Sequence, residues 1–374
     1  MTVVALLGTY AVARVSSADE PANPPAAASA PAAPPPVAAP PPATALWADN
    51  AGVSHLFFHS LIVDPKRAFA DPHSAAGYHD YMVTKEQFSR ILAQLYAADY
   101  VLVSPHQLAS VAADGRVTAT PLRLPAGKRP LVLSVDDVSY YEYMAGDGFA
   151  QNLVVADDGR VRNTYVEENG TVHVGSYDVM PMVDDFVREH PDFSHEGARG
   201  LIALTGYNGV LGYRTSPSVY GHTNPQLAAD IDTATRVANA LKGEGWEFAS
   251  HSWGHINFTA SSLGDIERDT RLWKAEVQPI TGPTDMLVYP FGADISGLPA
   301  YSGAKYDFLR AQGFSYYFNV DASRTAWGQM GPDYLREARI NVDGISLAAA
   351  LQGRPVLRAF FDPASVSQGP DSTP

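Results

Sequence analysis

Leu131 to Val138 reads LVLSVDDV: a continuous apolar run that ends in two adjacent carboxylates, Asp136 and Asp137. Such a run reads as a buried strand whose C-terminal end opens into a polar site. A second stretch, Phe248 to Phe258, reads FASHSWGHINF, a short apolar run that delivers His251 and His255. The two imidazoles can face one centre if the segment turns like a helix. H-x-x-x-H alone also fits a pair of core or capping histidines, and adjacent aspartates alone often just begin a turn. At the ends of two strands, Asp137, His251 and His255 together make a ligand set for one divalent cation. Asp136 stands beside them as a base. Two imidazoles and a carboxylate leave coordination positions open, which marks a catalytic rather than a structural metal site.

The segments between these stretches alternate in character. His55–Val63, HLFFHSLIV, reads as a strand and its exit loop. Thr84 opens a helix, with Gln87 at capping-box spacing and Phe88, Ile91, Leu92 and Leu95 on one face. Strands follow at Tyr100–Val103, Leu131–Val135, Leu201–Thr205, Trp246–Ser250, Met286–Tyr289 and Tyr316–Val320. Helices are expected over Asp178–His190, from Asn224-Pro225 to Gly243, over Ser262–Gln278 and over Ala304–Gln312. Strands alternating with helices imply an α/β fold built on a mostly parallel sheet or a barrel. A barrel gathers its functional loops at the strand C-termini, where Asp136-Asp137, His251-His255 and Phe291 all fall. Within 140–199, Asp158-Gly159 and Asn169-Gly170 are hairpin turn signals, so this stretch reads as a small β-containing insertion.

Composition narrows the function. The chain has 374 residues, enough for one large catalytic domain or two small ones, and its formal net charge is -14 with no basic block, which speaks against nucleic acid as a partner. It has no cysteine, so any metal must be held by histidine and carboxylate. Residues 1–20 include the apolar stretch Thr2–Ala13, too short to span a bilayer and preceded by no Lys or Arg. It reads either as the remainder of a clipped signal or anchor or as a tail without function. Residues 21–46 form a Pro/Ala-rich tether, disordered on its composition, of the kind that separates a membrane or wall anchor from an exported domain. The folded domain is expected over 47–362, with a loose tail over 363–374. These features favour a secreted or envelope-associated protein, and no protein partner is evident.

The sequence resembles the polysaccharide deacetylases, the NodB-like carbohydrate esterases. Their first motif, usually TFDD, corresponds to Ser134-Val135-Asp136-Asp137. Their second, H-(S/T)-x-x-H, spans His251 to His255. Their third, usually R-x-P-Y-G, is Val288-Tyr289-Pro290-Phe291-Gly292 here. The resemblance covers Ser54 to Val342. It implies a distorted (β/α) barrel and metal-dependent removal of acyl groups from sugars. The metal would most readily be zinc, with cobalt, nickel or iron(II) as alternatives. Carried over, Asp137, His251 and His255 are the metal ligands, Asp136 is the general base, and the Phe291 backbone N–H helps hold the oxyanion.

Two departures stand out. The motif-three arginine that braces the base falls on Val288, so another brace is needed. No histidine follows His255, where most members place the catalytic acid. In the branch that deacetylates biofilm poly-N-acetylglucosamine, the acid histidine lies near the N-terminus in a Y-H strand-end motif. Phe57-Phe58-His59-Ser60 looks similar and nominates His59. His55 is expected at the other end of that strand. Tyr140, Tyr141, Tyr143, Tyr207, Tyr213 and Trp253 are candidates to line a sugar groove, or are plain core. The resemblance implies an N-acetylated cell-envelope or extracellular glycan as substrate. The competing readings are a wall-tethered glycan-binding protein that has lost turnover and an O-acetyl ester hydrolase of the xylan type.

Overall fold

The computed structural model describes residues 43–368. Seven parallel strands close on themselves: β1 (Ser54–Phe58), β2 (Arg129–Asp136), β3 (Gly200–Leu204), β4 (Trp246–Ser250), β5 (Met286–Val288), β6 (Tyr316–Val320) and β7 (Leu335–Asn341). Each pairs with the next in sequence, and β7 returns to β1 through Ile340↔Leu56 and Asn341↔Phe57. The fold is therefore the distorted (β/α) barrel that the resemblance implied. One edge of β2 carries the distortion. Its first residues pair with Tyr100–Leu102, which lies outside the ring, and its last three, Ser134 to Asp136, pair with β3.

Strand side chains alternate between two faces. Val132, Leu201, Ala249, Met286, Val288, Phe318 and Leu335 point into the barrel and fill it. Leu131, Leu133, Val135, Ile202 and Leu204 point outward against the helices. Those helices include α1 (Lys85–Ala97), α2 (Val179–Glu189), α3 (Leu227–Glu244), α4 (Leu263–Glu276), α5 (Ala304–Ala311) and α6 (Gly344–Leu351). The expected capping box opens α1: Thr84 Oγ1 accepts from the Gln87 N–H, and Gln87 Oε1 accepts from the Thr84 N–H at 2.8 Å. Its apolar stripe, Phe88, Ile91, Leu92 and Leu95, is buried as the spacing requires. Emptying one such site, for instance Leu95→Ala, costs ~2–5 kcal/mol.

Several expected boundaries move. Asn224 does not cap α3. Its side chain accepts from the Gln226 N–H at 2.8 Å and closes a turn of its own, so the helix starts at Leu227. The stop is Gly245 rather than Gly243. Gly245 sits at φ 104, and a Cβ there would meet the Gly197 carbonyl oxygen at 2.0 Å. Inside 140–199 only Asn152–Val155, Val161–Val166 and Val172–Gly175 form the antiparallel insertion sheet, with its turns at the two Xaa-Gly pairs. Helix α2 belongs to the outer layer, with Val179, Val183 and Val187 buried in the same core as α1.

Both ends of the domain extend beyond the expected limits. Thr44–Trp47 is a strand paired with Leu122–Pro125, so order begins before Trp47. Pro363–Val366 is a short helix rather than loose tail. Val366 is fully buried, and its carbonyl accepts from Arg90 Nη1 at 3.0 Å. The expected signal or anchor over 1–20, most of the tether and residues 369–374 lie outside the described residues. Among the described residues no helix is long and apolar enough to cross a membrane.

Candidate metal centre

Alternation along β2 turns Ser134 and Asp136 into the barrel and would send the next residue outward. Asp137 instead takes a left-handed φ of 60°, with its N–H bonded to the Ala203 carbonyl at 3.1 Å. Both adjacent carboxylates thereby face the mouth of the barrel. The histidine loop is built in the same way. His251–His255 is not helical; left-handed φ values at Ser252 (56°) and His255 (52°) turn the chain. Asp269 of α4 holds the bend by accepting from the Trp253 N–H at 2.8 Å and the Gly254 N–H at 2.7 Å. Phe291 has φ 60°, so four of the eight non-glycine residues with left-handed φ among the described residues lie at this site. Each costs ~1–3 kcal/mol and persists only where its surroundings over-determine it.

Asp137, His251 and His255 each offer a ligand atom within 4.8 Å of the others; among the described residues this group alone meets that condition. His255 Nε2 lies 3.7 Å from Asp137 Oδ2. His251 Nδ1 donates to the Val288 carbonyl at 2.9 Å, which leaves the Nε2 lone pair for the centre. Burial, above the raising influence of Asp136 and Asp137, holds His251 below the ordinary imidazole range, so it is neutral as a ligand must be. Tyr141 Oη donates to Asp137 Oδ1 at 2.7 Å and lies 2.9 Å from Thr205 Oγ1. That contact fixes the carboxylate with Oδ2 toward His255. The donor chemistry and spacing fit a divalent cation with bonds of about 2.0–2.2 Å.

Asp136 is buried beside this group, its Oδ2 3.8 Å from His251 Nε2. Arg339 of β7 grips it with a two-point fork, Nη1 to Oδ1 at 2.7 Å and Nη2 to Oδ2 at 2.8 Å. The same guanidinium stands 4.2 Å over the Phe57 ring. Burial alone would raise the Asp136 carboxyl, but the Arg339 guanidinium, by its charge and its hydrogen bonds, holds it well below the ordinary carboxylate range. It is an anion with one lone pair per oxygen still open. Arg339 is thus the brace that motif three lacks. Val288, at the expected position, is barrel wall whose carbonyl serves His251. Sequence reasoning missed Arg339 because its strand was not recognised. Leu335, Glu337 and Arg339 on one face and Arg336, Ala338 and Ile340 on the other each mix apolar with charged residues, so neither face carries a hydrophobic pattern.

His59 leaves the end of β1 half-buried. Its Nδ1 donates to the Tyr81 carbonyl at 3.0 Å, so the other ring nitrogen, Nε2, is the one left for the site. His55, the second residue of β1, sits at the other end of the strand from His59, as expected. It lies inside the barrel under the site, with Nε2 2.9 Å from Ser134 Oγ and Nδ1 3.0 Å from Glu337 Oε2. Burial lowers His55 and raises Glu337, the latter to about 8, so this pair is held neutral. Phe291 occupies the tight Pro290–Gly292 turn, and its ring stands edge-on to His255 at 4.4 Å.

The six groove candidates separate. Tyr140 is buried and accepts from Asn163 Nδ2, anchoring the insertion. Tyr141 is buried against Asp137. Tyr213 donates to the Leu153 carbonyl and Trp253 Nε1 to Glu276. Tyr207 is partly buried and stacks on Tyr141, and Tyr143 alone of the six is exposed.

No family model matches the sequence, and no curated protein matches it. Among solved structures the chain is similar to the Streptococcus pyogenes deacetylase PplD in complex with acetate. The identity is 13%, the match covers 81% of this chain and 98% of that one, and the TM-score is 0.44. The chemistry assigned to this site therefore rests on its own side chains.

Proposed function

We propose that the protein is a metal-dependent hydrolase that removes N-acetyl groups from a polysaccharide of the cell envelope or the extracellular matrix. The observation that carries this reading is the convergence of Asp137, His251 and His255 beside an ionised Asp136 clamped by Arg339. A divalent cation, zinc first among the candidates, would supply an acidified water and polarise the acyl carbonyl. Asp136, 3.8 Å from His251 Nε2 at its Oδ2, would take the proton of an attacking water. The Phe291 N–H donates to the carbonyl oxygen as it becomes an oxyanion; one such donor is typically worth ~3 kcal/mol. His59, its Nδ1 proton held by the Tyr81 carbonyl, gives its Nε2 proton to the departing sugar nitrogen.

An amide needs that last proton far more than an ester does, because an amine anion is a very poor leaving group. His59→Ala is therefore expected to slow acetate release from N-acetylated glycan much more than hydrolysis of 4-nitrophenyl acetate. Equal losses on both substrates would exclude His59 as the acid. The hydrolase reading itself is tested by acetate release from N-acetylated oligosaccharides with and without a chelator. Turnover that survives metal removal, or no acetate from any glycan, would overturn it. A non-catalytic glycan-binding role was motivated partly by the missing motif-three arginine, and Arg339 removes that motive. The Pro/Ala segment supports placing the domain outside the cytoplasm on a tether.

A further inference from the structure

The chain leaves β1 as a loop that carries His59 and then runs under the surface, with Ser60, Leu61 and Ile62 all buried. Backbone N–H groups in such a loop must find acceptors inside the protein. Four consecutive ones do. Leu61 donates to Asp178 Oδ1 at 3.0 Å and Ile62 to the Val83 carbonyl at 3.0 Å. Val63 and Asp64 both donate to the Gly148 carbonyl, at 3.0 and 2.9 Å. Three of the four are thus accepted by residues of 140–199, the stretch inserted after the aspartate pair. Gly148 comes so close that a Cβ on it would meet the Asp64 carbonyl oxygen at 2.5 Å.

Asp178 is the junction. The oxygen that takes Leu61 also caps α2, accepting from the Val179 N–H at 2.8 Å. The hydroxyls of Tyr140 and Ser60 face the same carboxyl. Tyr140 Oη accepts from Asn163 Nδ2 at 2.9 Å, and Asn163 Oδ1 accepts from the Asp178 N–H at 2.8 Å. Asn163 lies on the middle strand of the insertion sheet. One buried circuit therefore joins the loop after His59, the loop after Asp137 and the insertion. Burial pushes the Asp178 carboxyl up to about 6 despite these donors, so placing a carboxyl here has a cost. A serine would cap the helix as well; the extra length of aspartate is what reaches Leu61. We propose that Asp178, held by Asn163 of the insertion, is a positioning residue that fixes the His59 loop against the Asp137 loop and so sets where the acid stands relative to the metal centre. The Tyr81 carbonyl sets how the imidazole is turned; Asp178 sets where its backbone lies. This rests on the hydrolase reading and gives the insertion a part in the chemistry.

The test separates position from fold. Asp178→Ser keeps a helix cap but is too short to reach Leu61. In the full chain it should lower kcat for acetate release from N-acetylglucosamine oligomers by about ten- to a hundredfold, the scale that a small misplacement of a reacting group costs. Bound metal and hydrolysis of 4-nitrophenyl acetate should hardly move, because neither needs the acid; a general loss of structure would lower both substrates alike. Asp178→Asn keeps the acceptor oxygen and should restore the ratio of the two rates. Gly148→Ala presses on the same loop from its other side and should shift the ratio in the same direction; it decides alone if Asp178→Ser does not fold. Nitrogen-15 NMR of the histidine rings reads the position without turnover. The His59 Nδ1–H signal, assigned by its absence in His59→Gln, should move in Asp178→Ser and stay in Asp178→Asn. Equal slowing of both substrates, an unchanged ratio, or a His59 signal that stays put in Asp178→Ser overturns the proposal. If that signal moves but the unsubstituted protein releases no acetate from any glycan, the hydrolase reading falls and the loop contact stands.

Discussion

At the N-terminal end of the barrel, His106 Nδ1 lies 2.6 Å from Glu247 Oε1 and its Nε2 lies 3.0 Å from Asp285 Oδ1. At the C-terminal mouth, His251 Nε2 and Asp136 Oδ2 stand 3.8 Å apart, and His255 Nε2 and Asp137 Oδ2 3.7 Å. Both ends combine imidazoles with paired carboxylates, yet only one leaves room. Around His106 the charges are consumed. Ser104 Oγ donates to Glu247 at 2.5 Å, the ring edge meets Tyr316, and the two carboxylates sit on opposite sides of the imidazole. At the mouth, strained backbone holds the groups near one another without letting them bond. Residue type does not separate a clamp from a ligand set. The direction of the lone pairs does, and the backbone sets it.

The sharpest way to break this contrast is to remove one histidine from each end. His251→Ala should lose bound metal and turnover together, the latter by at least ~10³-fold, since the cation's charge is worth several kcal/mol to the transition state. His106→Ala should keep both. Metal content by elemental analysis and acetate release decide it, and retained metal in His251→Ala would undo the ligand assignment. Next comes Arg339→Met, which strands the buried Asp136 anion and should cost ~3–5 kcal/mol in denaturant unfolding. Adding Asp136→Asn removes the stranded charge and should recover much of that stability but none of the turnover. A third substitution reads the support around the ligands. Tyr141→Phe deletes the hydrogen bond to Asp137 Oδ1 and should weaken metal binding ~10–100-fold in a competition titration while leaving unfolding little changed.

The same contrast explains what could be read from sequence. LVLSVDDV and FASHSWGHINF announce themselves because apolar strands run straight into ligand-type residues, and those pieces of the site converge. The strand-helix alternation that implied a barrel holds for six of its seven strands. The seventh, LREARIN, carries Arg336, Glu337 and Arg339, because the barrel interior is polar beneath Asp136 and Arg336 is buried against Asp294 on the outer side. Hydrophobic patterning cannot find such a strand, and so it could not find the brace. The His106 clamp is silent for another reason. Its members come from three distant segments, and no spacing within any one of them points to the others. Nor does any pattern foretell that Asp137 would turn against the alternation of its own strand.

The smallest expected effect belongs to that clamp, and its sign follows from its surroundings. Burial works most strongly against a charged His106, but the hydrogen bonds to Asp285 and Glu247, with their negative charge, outweigh it and push the imidazole up to about 10. In the unfolded chain an ordinary histidine titrates near ~6.5. A group raised on folding contributes stability that is complete below the unfolded value and is lost as pH rises through the folded one. The unsubstituted protein should therefore lose part of its margin between about pH 6.5 and pH 10 relative to His106→Ala. His106 is half-exposed, so solvent screens the pair and the gap in melting temperature at neutral pH should be no more than a few degrees. Thermal melts of both proteins across that range, in low and high salt, read it directly. A gap that stays constant up to pH 10 would mean that His106 acts by packing on Tyr316 and not by its charge.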